Sequence, residues 1–245
     1  MAQWLNGSIF LLLYYITDRR QFPGPELQRR ERLLANIAHA VRAGVHYIQL
    51  REKDLSGREL EELAREAVRI VRATGNPKPK TRLLINSRSD VALATGADGV
   101  HLPSDDIPAS DARALCSSVF AQSVKRGTRN VVVAVSCHTA EEVRLAEAHG
   151  ADFAVFGPVF EKVGTAQRLG LDGLRGACHR SGGRNTESNP LGRMPVLAVG
   201  GITLENARAC LDAGAAGIAA IRLFQENDIS EVAKQLRQLF ANCHP

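Results

Sequence analysis

Four segments of the chain share one pattern: a glycine ending a helical stretch, two linking residues, then a short apolar run. They read Gly44-Val-His-Tyr-Ile-Gln-Leu, Gly96-Ala-Asp-Gly-Val-His-Leu, Gly150-Ala-Asp-Phe-Ala-Val-Phe and Gly214-Ala-Ala-Gly-Ile-Ala-Ala. A glycine just past a helix supplies the left-handed backbone that stops it, and an apolar run after it reads as a strand buried on both faces of a parallel sheet. The four glycines lie 52, 54 and 64 residues apart, each interval long enough for two βα units. A further strand is therefore expected inside every interval. Leu83-Leu84-Ile85, Val131 to Val135 and Val196 to Val199 supply them, and Ile9 to Ile16 supplies one ahead of them all.

Eight strands alternate with amphipathic stretches such as Glu59 to Arg72 and Ala140 to His149, in which apolar residues recur at helical spacing. No Gly-rich dinucleotide fingerprint follows Ile16. The pattern predicts an α/β chain folded as a single (β/α)8 TIM barrel over residues 1–245, not an open doubly wound sheet. Polar insertions at Thr74 to Arg82, Gln122 to Asn130 and Ser181 to Arg193 precede strands, so they belong to the amino-terminal face of the barrel, away from the chemistry.

Bulk properties exclude several alternatives. Ile9 to Ile16 is too short to cross a bilayer and lacks the basic flank of a signal segment. The five cysteines are odd in number, widely spaced and free of any CxxC pair, which argues against a disulfide framework or zinc site and predicts a reducing, cytoplasmic setting. A net charge of +5 with basic residues scattered over helical faces predicts no nucleic-acid and no membrane partner. A homo-oligomer is left open.

Active sites of such barrels are built at the carboxyl ends of the strands, and there the sequence is strongly polar. It places Asp18, then Gln49, Arg51 and Lys53, Asn86, His101 with Asp105 and Asp106, Ser136 and His138, and Gly200-Gly201 with Arg222. Gln49, Arg51 and Lys53 alternate at strand period, so an amide and two cations can share one side, as a diphosphate requires. The competing expectation is that Arg51 and Lys53 merely pair with Glu52 and Asp54. After the seventh strand, Gly200 and Gly201 let backbone N–H groups approach a phosphate, and Arg222 beyond the eighth can add a charge-assisted contact. His138, just past the fifth strand, stands on the same face, or else caps the following helix. His101 reads as a satisfied histidine inside the barrel.

Taken together, Tyr15-Ile-Thr-Asp18, Gln49-Leu-Arg-Glu-Lys53, Leu84-Ile-Asn-Ser-Arg88, Gly99-Val-His-Leu102, Ser136-Cys-His-Thr139, Phe156-Gly-Pro-Val-Phe160 and Val199-Gly-Gly-Ile-Thr203 resemble, in order and spacing, the thiamine-phosphate synthase and thiazole tautomerase superfamily. The resemblance covers about residues 14–224. It implies small phosphorylated pyrimidine and thiazole substrates. Gln49, Arg51, Lys53 and Asn86 would hold the pyrimidine diphosphate, Asp106 would ligate Mg²⁺, Ser136 would contact substrate, and Gly200-Gly201 would bind the thiazole phosphate. The reaction implied is condensation of hydroxymethylpyrimidine diphosphate with thiazole phosphate and release of pyrophosphate.

Three positions depart from the synthase pattern. Ser87 stands where a second Mg²⁺-binding Asp is usual, His101-Leu-Pro-Ser104 replaces His-Leu-Gly-Gln, and Glu161-Lys-Val-Gly-Thr165 shortens a loop whose lysine Lys162 would have to replace. The first two are similar to the tautomerase branch, in which His138 would move a proton while a thiazole phosphate aromatises without metal. The intact cationic clamp and Asp106 favour the synthase. A non-catalytic phosphate-binding barrel is the remaining alternative.

Overall fold

The computed structural model describes residues 11–74, 80–122, 131–161, 168–180 and 194–241. Eight parallel strands close into a barrel in sequence order, β1 pairing with both β2 and β8. They are β1 (Leu12–Ile16), β2 (Tyr47–Leu50), β3 (Arg82–Asn86), β4 (Gly99–Leu102), β5 (Val132–Cys137), β6 (Phe153–Phe156), β7 (Val196–Val199) and β8 (Gly217–Ala220). Between and after them lie α1 (Glu26–Arg42), α2 (Gly57–Ala73), α3 (Ser89–Thr95), α4 (Ala109–Gln122), α5 (Ala140–Ala148), α6 (Gly170–Arg180), α7 (Leu204–Asp212), the single turn α8 (Arg222–Gln225) and α9 (Ile229–Ala241). The expected barrel is therefore the observed one. Its first strand begins at Leu12, and residues 9 and 10 fall outside the described residues, as do most of the three polar insertions, Lys162 and Cys243. Cys116, Cys137, Cys178 and Cys210 form no disulfide.

The four junction glycines all have left-handed backbone, with φ of 70°, 68°, 75° and 100° at Gly44, Gly96, Gly150 and Gly214. The residue two places after each glycine has a second task. His46 Nδ1 accepts the N–H of Leu13 at 3.1 Å, Asp98 that of Leu83 at 3.0 Å and Asp152 that of Val133 at 2.7 Å. Each polar side chain thus satisfies an early donor of the preceding strand, where the sheet ladder is only beginning. The fourth repeat has Ala216 there and so no side-chain acceptor; its carbonyl accepts the N–H of Leu12 on the next strand at 3.0 Å, as those of His46 and Asp98 accept from Arg82 and Val132.

Two apolar layers follow from strand alternation. Residues of one parity pack outward against the helices, for example Leu13, Tyr15, Ile48, Leu83 and Val133 against Leu33, Leu63 and Val143. The other parity fills the barrel: Tyr14, Leu84, Val132, Ala134, Phe153, Leu197 and Ala219. Tyr14 meets Tyr47 and Phe153 edge-on with ring centroids 6.0 and 5.4 Å apart, so the lower interior is packed and not a pore. Chemistry is left to the layer above.

Candidate active site at the carboxyl ends of the strands

Strand parity places that upper layer. Tyr47, Leu84 and Ala134 point inward, so Gln49, Asn86 and Ser136, two residues further along β2, β3 and β5, do so too. Buried Gln49 donates from Nε2 to Asn86 Oδ1 at 2.7 Å, and Asn86 donates from Nδ2 to Ser87 Oγ at 3.0 Å. The amide pair is thus oriented before any ligand arrives.

Beside it a second chain crosses the barrel: Tyr14 hydroxyl to His101 Nδ1 at 3.0 Å, and His101 Nε2 to Ser136 Oγ at 2.8 Å. Burial first, and then the nearby positive charge of Arg51, push the His101 pKa down to about 3, so this imidazole is neutral at pH 7. Its partners on both nitrogens agree with the expected interior histidine. The sequence reading missed Tyr14, although its inward parity on β1 was the available signal.

Arg51 and Lys53 depart from the expectation in one respect. The β2 strand ends at Leu50, so strand alternation does not extend to them; they stand on the loop beyond it, Arg51 half-buried and Lys53 exposed. Nor do they pair with their acidic neighbours. Glu52 and Asp54 are held by Arg19, and among the described residues neither Arg51 nor Lys53 has an ion pair. Asp18 caps the short turn Arg19–Gln21 by accepting the N–H of Arg20, a structural task. Asp105 and Asp106 are exposed after β4, where Asp106 Oδ1 accepts the N–H of Ile107 at 2.8 Å. Among the described residues no three His, Cys, Asp or Glu side chains gather as a metal cage.

His138 does not cap α5. Thr139 does, its side chain accepting from Glu142 N–H, while the N–H of His138 reaches Glu142 at 2.6 Å. The His138 ring instead meets the carbonyl of Gly157 through Nδ1 at 2.6 Å. A carbonyl can only accept, so Nδ1 carries the proton and Nε2 keeps a lone pair when the ring is neutral.

On the other side of the barrel mouth, a cavity of about 990 Å³ is lined by Gly200, Gly201, the first residues of α7 and α8, and Arg222. Gly200 and Gly201 both have positive φ, 96° and 63°. A methyl group on Gly201 would stand 2.6 Å from Glu161 O and 2.8 Å from Phe160 Cβ, so this glycine also lets the β6 loop lie against the turn. Arg222 has no ion pair among the described residues, and Glu161, Glu205 and Glu226 also border the cavity. The groups there that could meet an anion are backbone N–H groups and Arg222. Behind the cavity Gln225 ties β1 to α8: its Oε1 accepts from Asp18 N–H at 2.8 Å and Tyr15 hydroxyl at 3.2 Å, and its Nε2 donates to Asp18 O at 3.0 Å. No motif in the sequence pointed to that clasp.

Comparison with known proteins agrees with this geometry. The family model for thiamine monophosphate synthase matches residues 13–224. The chain is 40% identical over 216 residues to a provisionally named thiamine-phosphate synthase 2 of Aquifex aeolicus, covering 87% of this chain and 97% of that one. It is 34% identical over 232 residues to the thiamine-phosphate synthase of Syntrophomonas wolfei, covering 93% and 95%. Among solved structures, the thiamine phosphate pyrophosphorylase of Pyrococcus furiosus is similar with a TM-score of 0.71 and 29% identity, covering 96% of this chain and 98% of that one. A 3-hexulose-6-phosphate synthase, at 20% identity and a TM-score of 0.53, shares the fold alone.

Proposed function

The chain belongs to the thiamine monophosphate synthase family, and from that premise we propose that it is a thiamine-phosphate synthase acting as one barrel domain, with its two substrates held on opposite sides of the barrel mouth. The observation that carries the residue assignment is the pair of unmatched cations, Arg51 and Lys53, beside the oriented Gln49–Asn86 amides. Cations with no internal ion pair, standing beside amides already oriented, are placed to meet the charge of an anion.

In the reaction, the bond between the pyrimidine methylene carbon and the diphosphate oxygen breaks, and its electron pair leaves with pyrophosphate. The thiazole nitrogen then supplies the pair for the new carbon–nitrogen bond. Arg51 and Lys53 stabilise the charge gathering on the leaving group, which matters more in the transition state than in the bound substrate. Gln49, Asn86 and Ser136 orient the pyrimidine diphosphate; Ser136 is itself aimed by neutral His101. Gly200, Gly201 and Arg222 hold the thiazole phosphate so that its ring nitrogen faces the reacting carbon. His138 Nε2, which has no hydrogen-bond partner among the described residues, can accept a hydrogen bond from substrate at the rim.

Mg²⁺ fits the donor set as a guest of the diphosphate, because this ion keeps several waters and takes one or two carboxylates together with phosphate oxygens. Asp106 and the Ser87 hydroxyl would hold it, and bound there it would neutralise leaving-group charge. Phosphorylated substrates do not cross bilayers unaided, and none of the four described cysteines is in a disulfide, so we place the activity in the cytoplasm. No helix among the described residues is long and apolar enough to cross a membrane.

The test offers purified protein both substrates with Mg²⁺ and follows thiamine phosphate and pyrophosphate. One pyrophosphate should appear per product, EDTA should stop turnover, and His138→Ala should reduce it only modestly. Aromatisation of a thiazole tautomer in EDTA, lost in His138→Ala, would replace the synthase by a tautomerase.

A further inference from the structure

The run Arg51-Glu52-Lys53-Asp54 alternates in sign along the chain. With all four side chains free, each cation would have a carboxylate at hand and an arriving anion would meet little net field. The fold separates the signs. The Glu52 side chain is fully buried and accepts from Thr17 hydroxyl at 2.6 Å, from the N–H of Arg19 at 3.0 Å and from Arg19 Nη1 at 3.1 Å. Arg19, with a side chain only 4% exposed, also grips Asp54 through Nη1 and Nη2 at 2.8 and 2.9 Å and Glu26 through Nε at 2.7 Å. One planar guanidinium therefore occupies three carboxylates, a geometry that the point charge of a lysine cannot reproduce. The Thr17 oxygen that donates to Glu52 also accepts the N–H of Arg51 at 3.0 Å, so the same cluster fixes the backbone from which Arg51 projects.

We propose that Arg19 is a positioning residue of the diphosphate clamp: by holding Glu52 and Asp54 it keeps Arg51 and Lys53 unmatched for a diphosphate. The inference rests on the proposed function only for the identity of that anion. Arg19 is buried below the loop and acts through its partners, without touching substrate. Because Arg19 and Glu52 at the centre of the cluster are buried, the separation of charge is in place before the ligand arrives and need not be created during binding. Asp54, 40% exposed and also approached by Arg20 Nε at 4.0 Å, is the carboxylate that Arg19 must restrain, since without the bidentate grip of Arg19 it can turn to Arg51 or Lys53 or repel the incoming anion. If Arg19 were only a staple between the first two loops and α1, replacing it would lower stability and weaken both substrates alike, with no dependence on Asp54.

The experiment measures binding of inorganic pyrophosphate by calorimetry to the whole protein, as wild type, Arg19→Lys, Asp54→Asn and the double variant, with thermal unfolding recorded for each. Arg19→Lys should weaken pyrophosphate binding about tenfold, the loss expected when a charge-assisted contact is diverted. Asp54→Asn alone should change it by less than about twofold, because that carboxylate is already engaged and partly exposed. The double variant should recover most of the loss, a rescue that a purely structural role does not produce. Should Arg19→Lys not fold, Arg19→Met with Glu52→Gln removes both buried charges and leaves Asp54 released, and Asp54→Asn should again restore binding. Wild-type affinity in Arg19→Lys, or a loss that Asp54→Asn leaves untouched, overturns the inference. Absence of pyrophosphate binding in the wild type overturns both the inference and the synthase assignment. The predicted binding pattern in a protein that forms no thiamine phosphate refutes the assignment and leaves the inference standing.

Discussion

The two ends of the barrel use polar residues in opposite ways. At the amino-terminal end each polar side chain of the repeat has a partner: His46, Asp98 and Asp152 accept strand N–H groups, and Asp152 is also paired with Arg113 at 2.8 Å. At the carboxyl end Arg51, Lys53 and Arg222 have no ion pair among the described residues, while the groups beneath them are fully engaged. An unmatched cation alone does not mark a site, since Arg42 at the end of α1 and Arg82 at the start of β3 also lack an ion pair among the described residues. What sets the carboxyl end apart is that its unmatched cations stand beside amides already oriented within the barrel mouth.

The comparison is most sharply tested by removing one residue from each end. Arg51→Ala should lower turnover about 10²- to 10³-fold, the cost of deleting one preorganised contact to developing charge, with little change in unfolding temperature. Asp152→Ala should do the reverse, costing roughly 1–3 kcal/mol by leaving the Val133 N–H without its acceptor and Arg113 without its carboxylate, though still bonded to the carbonyls of Val131 and Gly150, while kcat stays near wild type. Steady-state kinetics and urea unfolding of both variants check this. A stability loss from Arg51→Ala equal to that from Asp152→Ala would break the division.

Gly201 should partly break it. It lies at the ligand end, yet a side chain there meets Glu161 O and Phe160 Cβ at contact distances shorter than real structures allow, on a backbone with φ of 63°. Gly201→Ala is expected to cost about 2–4 kcal/mol from overlap and left-handed strain together. Its loss of activity is therefore not a clean measure of phosphate binding. Arg222→Ala is the cleaner probe and should raise KM for thiazole phosphate about tenfold with unfolding unchanged.

A pH scan separates the ends in another way. Burial, assisted by the charge of Arg237, lowers the His46 pKa to about 4. The neutral ring is the one that accepts the N–H of Leu13, so its contribution to stability is complete above the unfolded value of about 6.5. It is lost as pH falls from there toward about 4. His46→Gln keeps an acceptor but does not titrate. It should flatten the fall in unfolding free energy across that window by roughly 1–3 kcal/mol, given that His46 is only partly buried. An unchanged slope in His46→Gln would remove His46 from the account.

Both ends were legible in the sequence to different depths. The junction glycines give the barrel because one backbone conformation is needed each time a helix stops, and period-two alternation then puts Gln49, Asn86 and Ser136 in one inward layer. The partner residues two places beyond each glycine were visible as His46, Asp98 and Asp152, but a side chain's backbone acceptor role depends on register with the preceding strand, which one segment alone does not state. Arg19 and Gln225 were hidden for a stronger reason. Each closes contacts over a separation in the chain, 33 residues from Arg19 to Glu52 and 207 from Gln225 to Asp18, so no local pattern carries them.

The smallest effect should come from Ser87, and it bears on why the ligand end is less complete here than the family pattern. Ser87 has a φ of 58°, its N–H donates to the carbonyl of His101 at 2.9 Å, and its hydroxyl accepts from Asn86. Asp tolerates left-handed backbone better than most residues, because its short side chain can bond locally, so Ser87→Asp should fold without added strain. The introduced carboxylate would stand next to Asn86 and add a charged oxygen to the donor set of Asp106, where a neutral hydroxyl now stands. The Mg²⁺ concentration for half-maximal turnover should fall roughly three- to tenfold while kcat changes little, since a second carboxylate improves capture of the ion but adds nothing specific to the transition state. A titration of rate against Mg²⁺ for wild type, Ser87→Asp and Asp106→Ala reads this directly. If Ser87→Asp leaves the midpoint unmoved while Asp106→Ala shifts it, the metal is held by Asp106 and substrate alone, and the hydroxyl at position 87 serves only to orient Asn86.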